Sequence, residues 1–153
     1  MKGLQLFLLA LLPCAAGWLL PQGNVIFSDT YLGAVEMVEG LLLLAVWYWA
    51  GGFWRHRMKG TGRSLLLANL PGIVCTIAFV LSVLLSFSLQ NTFLYRMPVV
   101  AQLVQGQFTA QYFSGLLLHR YVWPIFSHNL IGYPVTLGLQ LLVFWLGYRF
   151  KRR

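Results

Sequence analysis

Four long apolar runs, separated by short polar or basic breaks, organise most of the chain. The first is Leu4–Leu20, after Lys2. It sits at the short end of the ~17–25 residues that cross a bilayer core, and Pro13 is expected to kink it. The segment PQGNVIFSDT (21–30) reads as a loop, with Ser28, Asp29 and Thr30 as N-cap residues for the next helix. The second run spans about Tyr31–Trp54 and closes in WYWAGGFW, an aromatic belt suited to a membrane–water boundary. The third spans about Ser64–Leu89, with Pro71 and Gly72 in its early part. The last spans about Leu130–Tyr148, with Pro134 near its start and Trp145 and Tyr148 near its end.

Between the third and last runs lies Gln90–Asn129, too long for a turn and too apolar for a solvated loop. Pro98 is placed to start a helix. Val100, Leu103, Val104 and Phe108 then recur at helical spacing, against Gln102, Gln105 and Thr109 on another side. Tyr112, Phe113, Tyr121, Trp123 and Phe126 add aromatic bulk. The pattern predicts an interfacial or re-entrant element, one or two short helices lying against the outer face of the bundle. A fifth span through Phe113–Ile131 would carry His119, Arg120, Pro124 and His128 and put the basic C-terminus outside, which disfavours it.

The expected fold is therefore an all-α membrane protein. Four transmembrane helices (about 4–20, 31–54, 64–89 and 130–148) form a bundle, with a partly helical outer segment, 90–129, between spans three and four. Residues 1–153 read as a single integral membrane domain. The first run also resembles a signal peptide, with a basic start, an apolar centre and then CAAG. Its continuation through Trp18, Leu19 and Leu20 to Pro21, without a small-x-small cleavage pattern, favours a retained span. Pro13 before Cys14 does not suit a lipoprotein signal either.

Composition strengthens this picture. Of 153 residues, 59% are hydrophobic and 9% charged, against roughly 25% charged in a soluble domain. Such a chain cannot cover a water-facing surface. The net charge of +8 would suit nucleic acid, but its distribution does not. The basic residues gather in RHRMKGTGR (55–63) and YRFKRR (148–153), beside apolar runs, where they orient helices and meet anionic headgroups. With both termini cytoplasmic, nine of the eleven Lys and Arg residues lie inside and only Arg96 and Arg120 outside. No nucleic-acid partner is expected. The short loops and basic ends suggest a bacterial cell membrane.

Candidate chemistry is sparse. Two of the three acidic residues, Glu36 and Glu39, lie in the outer half of the second run. Three apart, they share a helix face with Gly33, Gly40, Trp47 and Gly51. Charge at that depth is costly unless paired, solvated or neutralised. Arg96, His119, Arg120 and His128 are the outer cations or potential cations, so a polar cluster with Glu36 and Glu39 paired to Arg96 or Arg120 is expected. In the third run Gly72, Cys75, Ala78, Ser82 and Ser86 recur at spacings that let helices approach closely, with serines able to bond across. Asn69, in NLPG, is placed to cap freed carbonyls or to contact another subunit.

The residue types Glu36, Glu39, His119 and His128 suit zinc, but without HxxxH or HExxH spacing no metal site is assigned. The two cysteines have no CxxC or disulfide pattern and read as packing residues. No serine stands in GxSxG, and GTG (60–62) lacks the lysine of a P-loop. No catalytic residue or cofactor is assigned. Three functions stay open, in this order: an accessory or structural subunit packing against another membrane protein or itself; a small transporter, channel or ion-coupled component using Glu36 and Glu39; and an enzyme acting on a lipid-like substrate at the outer interface, through Glu39 or His128.

Overall fold

The computed structural model describes residues 2–24, 29–58, 60–85, 98–121 and 129–150; every regular element among them is a helix. The first run forms α1 (Lys2–Ala10) and α2 (Leu12–Asn24), divided at Leu11. Pro13 explains the division: it has no N–H for the preceding turn and its ring crowds the carbonyl four residues back, whereas at a helix start both are harmless. The helix then runs on to Asn24, into the expected loop. The second run forms α3 (Asp29–Arg57), 29 residues and about 43 Å long.

The third run is expected as one helix and is two. α4 (Thr61–Ala68) and α5 (Leu70–Leu84) meet at Asn69 with a bend of 62°. Pro71 cannot donate to the carbonyl of Leu67, so the ladder breaks there. Asn69 closes the last turn of α4 instead: its backbone N–H and its Nδ2 both donate to the Leu65 carbonyl. α4 itself starts after Gly60, whose φ of +100° suits glycine and strains any other residue.

The largest departure concerns the long connection. Instead of short surface helices, residues 98–121 form one helix, α6 (Pro98–Tyr121), of 24 residues and about 36 Å. It packs against α2, α3, α5 and α7 (Asn129–Phe150). The helix turns the expected side inward: Gln102 and Gln105 are exposed, and Phe108 packs on Phe79 of α5 and Tyr133 of α7. Gly106, Gln107, Ala110, Gln111, Phe113 and Ser114 are buried, while Val100, Leu103, Val104 and Phe108 are only half-buried. On that side the small and polar residues, rather than the apolar ones, lie deepest, as packing between membrane helices favours.

Among the described residues two helices are long and apolar enough to cross a membrane: Gly33–Arg57 within α3 and Ile131–Phe150 within α7. The bent pair α4–α5 makes three if it counts as one span. The C-terminal ends of α3 and α7 meet. Arg55 Nη1 donates to the Arg149 carbonyl at 2.8 Å, and the Tyr148 hydroxyl to the Met58 carbonyl at 3.2 Å. Arg57 donates to Gln5 Oε1, so α1 reaches the same end. An apolar core of Ala10, Trp47, Ala50, Trp54, Ala68 and Phe144 fills the bundle near it.

Candidate functional site

The polar groups of this chain converge on the buried face of α6. Gln107, Gln111 and Ser114 lie four and three residues apart, so they stack along one stripe, and their exposures are 2%, 0% and 1%. Each reaches a different helix. Gln107 Oε1 accepts from the Cys14 thiol on α2 at 3.2 Å. Gln111 Nε2 donates to Thr76 Oγ1 on α5 at 2.9 Å. Ser114 Oγ accepts from Gln140 Nε2 on α7 at 3.3 Å and donates to its own Ala110 carbonyl at 2.7 Å. Thr136 on α7 donates to the Gly132 carbonyl at 2.8 Å. α6 is thus tied by side chains to three neighbours. Away from water an unpaired amide costs a few kcal/mol, which makes such pairings selective for one arrangement of helices.

Glycines bring the backbones close enough for these short side chains to meet. A Cβ on Gly17 would overlap the Gly106 carbonyl and lie 2.6 Å from the Ala110 nitrogen. A Cβ on Gly106 would overlap the Cys14 carbonyl in turn. The same device closes α3 on α7, where Gly51 faces Phe144 and Gly147 faces Tyr48. A second polar tie holds the α4–α5 bend: Trp47 Nε1 on α3 donates to Asn69 Oδ1 at 2.8 Å, with both residues buried. Asn69 therefore caps a carbonyl and also contacts another helix of its own chain.

One polar atom of the stripe is left over. Gln111 Oε1 is buried without a hydrogen-bond partner. Removing it with Gln111→Met should leave the stability of the detergent-purified protein within about 1 kcal/mol of wild type, read from thermal midpoints, because the orphan acceptor goes together with the bond to Thr76. The Thr76 hydroxyl can turn to a carbonyl of its own helix. A clear loss would reveal a water or ligand on that oxygen. A cavity of about 10 Å³, the space of one water, adjoins the other end of the stripe, lined by Pro13, Trp47, Ala110, Ser114 and Gln140 among others.

Glu36 and Glu39 are half-buried on α3, one turn and less before Gly40, whose missing side chain admits the Phe113 carbonyl of α6. Glu36 lies in the electrostatic field of Glu39, and Tyr112 on α6 lies in that of Glu36. Arg96, His128 and Ser86 lie outside the described residues, as do the side chains of His119 and Arg120. Of the third run's stripe, Gly72, Cys75 and Ser82 are buried and Ala78 is half-buried. Ser82 bonds within its own helix, to the Phe79 carbonyl at 2.7 Å, and the bond across to α6 comes from Thr76 instead. Cys14 and Cys75 are buried free thiols. Among the described residues no three of His, Cys, Asp and Glu gather as metal ligands.

The glutamines are the functional-site signal that sequence reasoning missed. Gln107, Gln111 and Gln140 sit in apolar surroundings, the first two at helical spacing, which in a membrane chain marks an inward face. No protein-family model, curated protein or solved structure matches the chain.

Proposed function

We propose that this chain is a small polytopic membrane protein that serves as an accessory or structural subunit, packing against another membrane protein or a second copy of itself. One observation carries the reading: the buried polar side chains of α6 bond to three neighbouring helices, so they fix the bundle. Four passages fit the same picture: the kinked first run retained as a span, α3, bent α4–α5 and α7, with α6 between them. Its basic ends would lie in the cytoplasm, and the setting would be a bacterial cytoplasmic membrane. Cys14 and Gly17 in contact with α6 support retention of the first run.

The test is mild purification of the tagged chain from its native membrane and mass measurement of the intact particle. A stoichiometric second protein, or a discrete oligomer of this chain, is expected. A monomer free of other proteins would overturn the reading.

A second reading, an ion-coupled component, draws on the two half-buried carboxylates one turn apart on α3. It predicts that the Glu36→Gln, Glu39→Gln double variant inserts normally yet loses ion flux in sealed vesicles. The subunit reading predicts that this variant keeps its partner and that wild-type vesicles show no flux above empty ones.

A further inference from the structure

Charge is segregated along α3 to an unusual degree. All three acidic residues of the sequence, Asp29, Glu36 and Glu39, belong to the first part of that helix. Its last turn carries Arg55, His56 and Arg57. About 24 Å of helix separates Glu39 from Arg55. The arginines at this end therefore have no acidic side chain of α3 within reach. What holds them is neutral: the Arg149 carbonyl for Arg55 and Gln5 Oε1 for Arg57.

Aromatic faces hold them as well. The Arg57 guanidinium lies 3.9 Å over the Phe53 ring, which stacks on Trp49 at 5.5 Å. On α7 the Arg149 guanidinium lies 5.1 Å over Trp145 and 5.7 Å over Phe150. A guanidinium backed by a ring keeps its in-plane N–H groups clear of that ring, and those beyond the Gln5 bond form a fork that matches a phosphate. Below each arginine runs an apolar stripe at helical spacing: Leu42, Val46, Trp49 and Phe53 under Arg57, and Leu142 and Trp145 under Arg149. Leu42, Val46, Trp49 and Leu142 are exposed. Both arginines stand at or beside the end of a helix long enough to cross a membrane.

We propose that the basic end of α3 and α7 is a binding site for anionic phospholipid. Aromatic-backed Arg57 and Arg149 each hold a headgroup phosphate on their own side of the α3–α7 pair, and the acyl chains lie along the stripe beneath each. This goes beyond the general attraction of a basic loop to a charged surface, because it assigns particular guanidiniums and a particular apolar track. It is independent of which protein the bundle packs against.

The experiment reconstitutes the full chain in nanodiscs of equal dioleoylphosphatidylglycerol and dioleoylphosphatidylcholine. Retained lipids are then counted by intact-particle mass spectrometry. Wild type should keep phosphatidylglycerol in preference to phosphatidylcholine. Arg57→Gln and Arg149→Gln should each weaken retention on its own stripe about five-fold, the weight of one basic residue at an anionic surface, so that each single variant keeps fewer phosphatidylglycerols and the double variant fewest. Arg63→Gln, which removes the same charge from an exposed position on α4, should leave retention unchanged. Equal retention of the two lipids by wild type, or an equal loss in Arg63→Gln, would overturn the proposal. Should Arg57→Gln fail to fold, Arg57→Lys keeps the charge without the planar fork. A drop in retention with lysine supports the site, and wild-type retention counts against it.

Discussion

Gly106→Ala is expected to separate α2 from α6 and to leave little folded protein. The added methyl would overlap the carbonyl oxygen of Cys14 and lie 3.2 Å from the Trp18 nitrogen. Both are main-chain atoms of a helix, so no side chain can swing away to make room. α2 would have to retreat as a body, and three features would go with it: the Gly17 contact, the thiol bond from Cys14 to Gln107 and the packing around them. Overpacking a core usually costs about 1–3 kcal/mol, and a backbone-to-backbone clash belongs at or above the top of that range. The natural control is Gly138→Ala on α7, where nothing lies within 4 Å of the new methyl. Helix propensity alone would then make Gly138→Ala neutral or stabilising by up to about 1 kcal/mol. Size-exclusion profiles of fluorescently tagged variants after a heating series compare the two directly. Equal behaviour of Gly106→Ala and Gly138→Ala would mean that α2 and α6 do not meet backbone to backbone at these glycines.

That contrast also shows which parts of the fold a single sequence reveals. Runs such as Tyr31–Trp54 and Leu130–Tyr148 announce helices because length, hydropathy and a terminal aromatic belt agree; α3 and α7 extend them by only a few residues at either end. The bend at Asn69 is half legible. Pro71 and Gly72 signal a break, but its angle depends on what the freed groups find, and Trp47 cannot be named as the partner of Asn69 from sequence spacing. α6 is half legible: its apolar positions do mark the inward side, but one 24-residue helix replaces the expected short ones, and Gln107 and Gln111 lie deepest on that side because polar groups bind membrane helices together. Gly17 and Gly106 look unremarkable, since nothing in a single sequence shows which glycine meets another helix. Glu36 and Glu39 stand out because charge in an apolar run is rare, and that rarity identifies a costly position without identifying its partner.

Asn69→Leu is expected to be the most damaging side-chain replacement at the bend. The amide does two things at once. Oδ1 accepts the indole N–H of Trp47 at 2.8 Å, and Nδ2 donates to the Leu65 carbonyl at 2.9 Å. Leucine ends both bonds and leaves the buried Trp47 N–H without an acceptor. Hydrogen bonds between membrane helices average about 0.6 kcal/mol and reach about 1.7, because the separated helices find other partners. A buried group stripped of its partner costs more, about 1–3 kcal/mol. Together these place the loss at roughly 2–3 kcal/mol. Trp47→Phe separates the two contributions. It removes the donor while keeping a ring for Phe144, which the Trp47 ring meets at 5.7 Å. In the Trp47→Phe background Asn69→Leu no longer strands an indole, so its cost should fall by about 1 kcal/mol or more. Additive losses in this cycle, read from unfolding midpoints in a fixed detergent, would show that the tie between α3 and the bend contributes nothing to stability. Non-additivity would establish Asn69 as the point where α3 fixes the angle between α4 and α5. That angle carries the exposed apolar face of α5, including Val74, Ile77 and Leu81, which the subunit reading leaves for a partner helix. A variant that loosens the bend should therefore release the partner before the bundle itself unfolds.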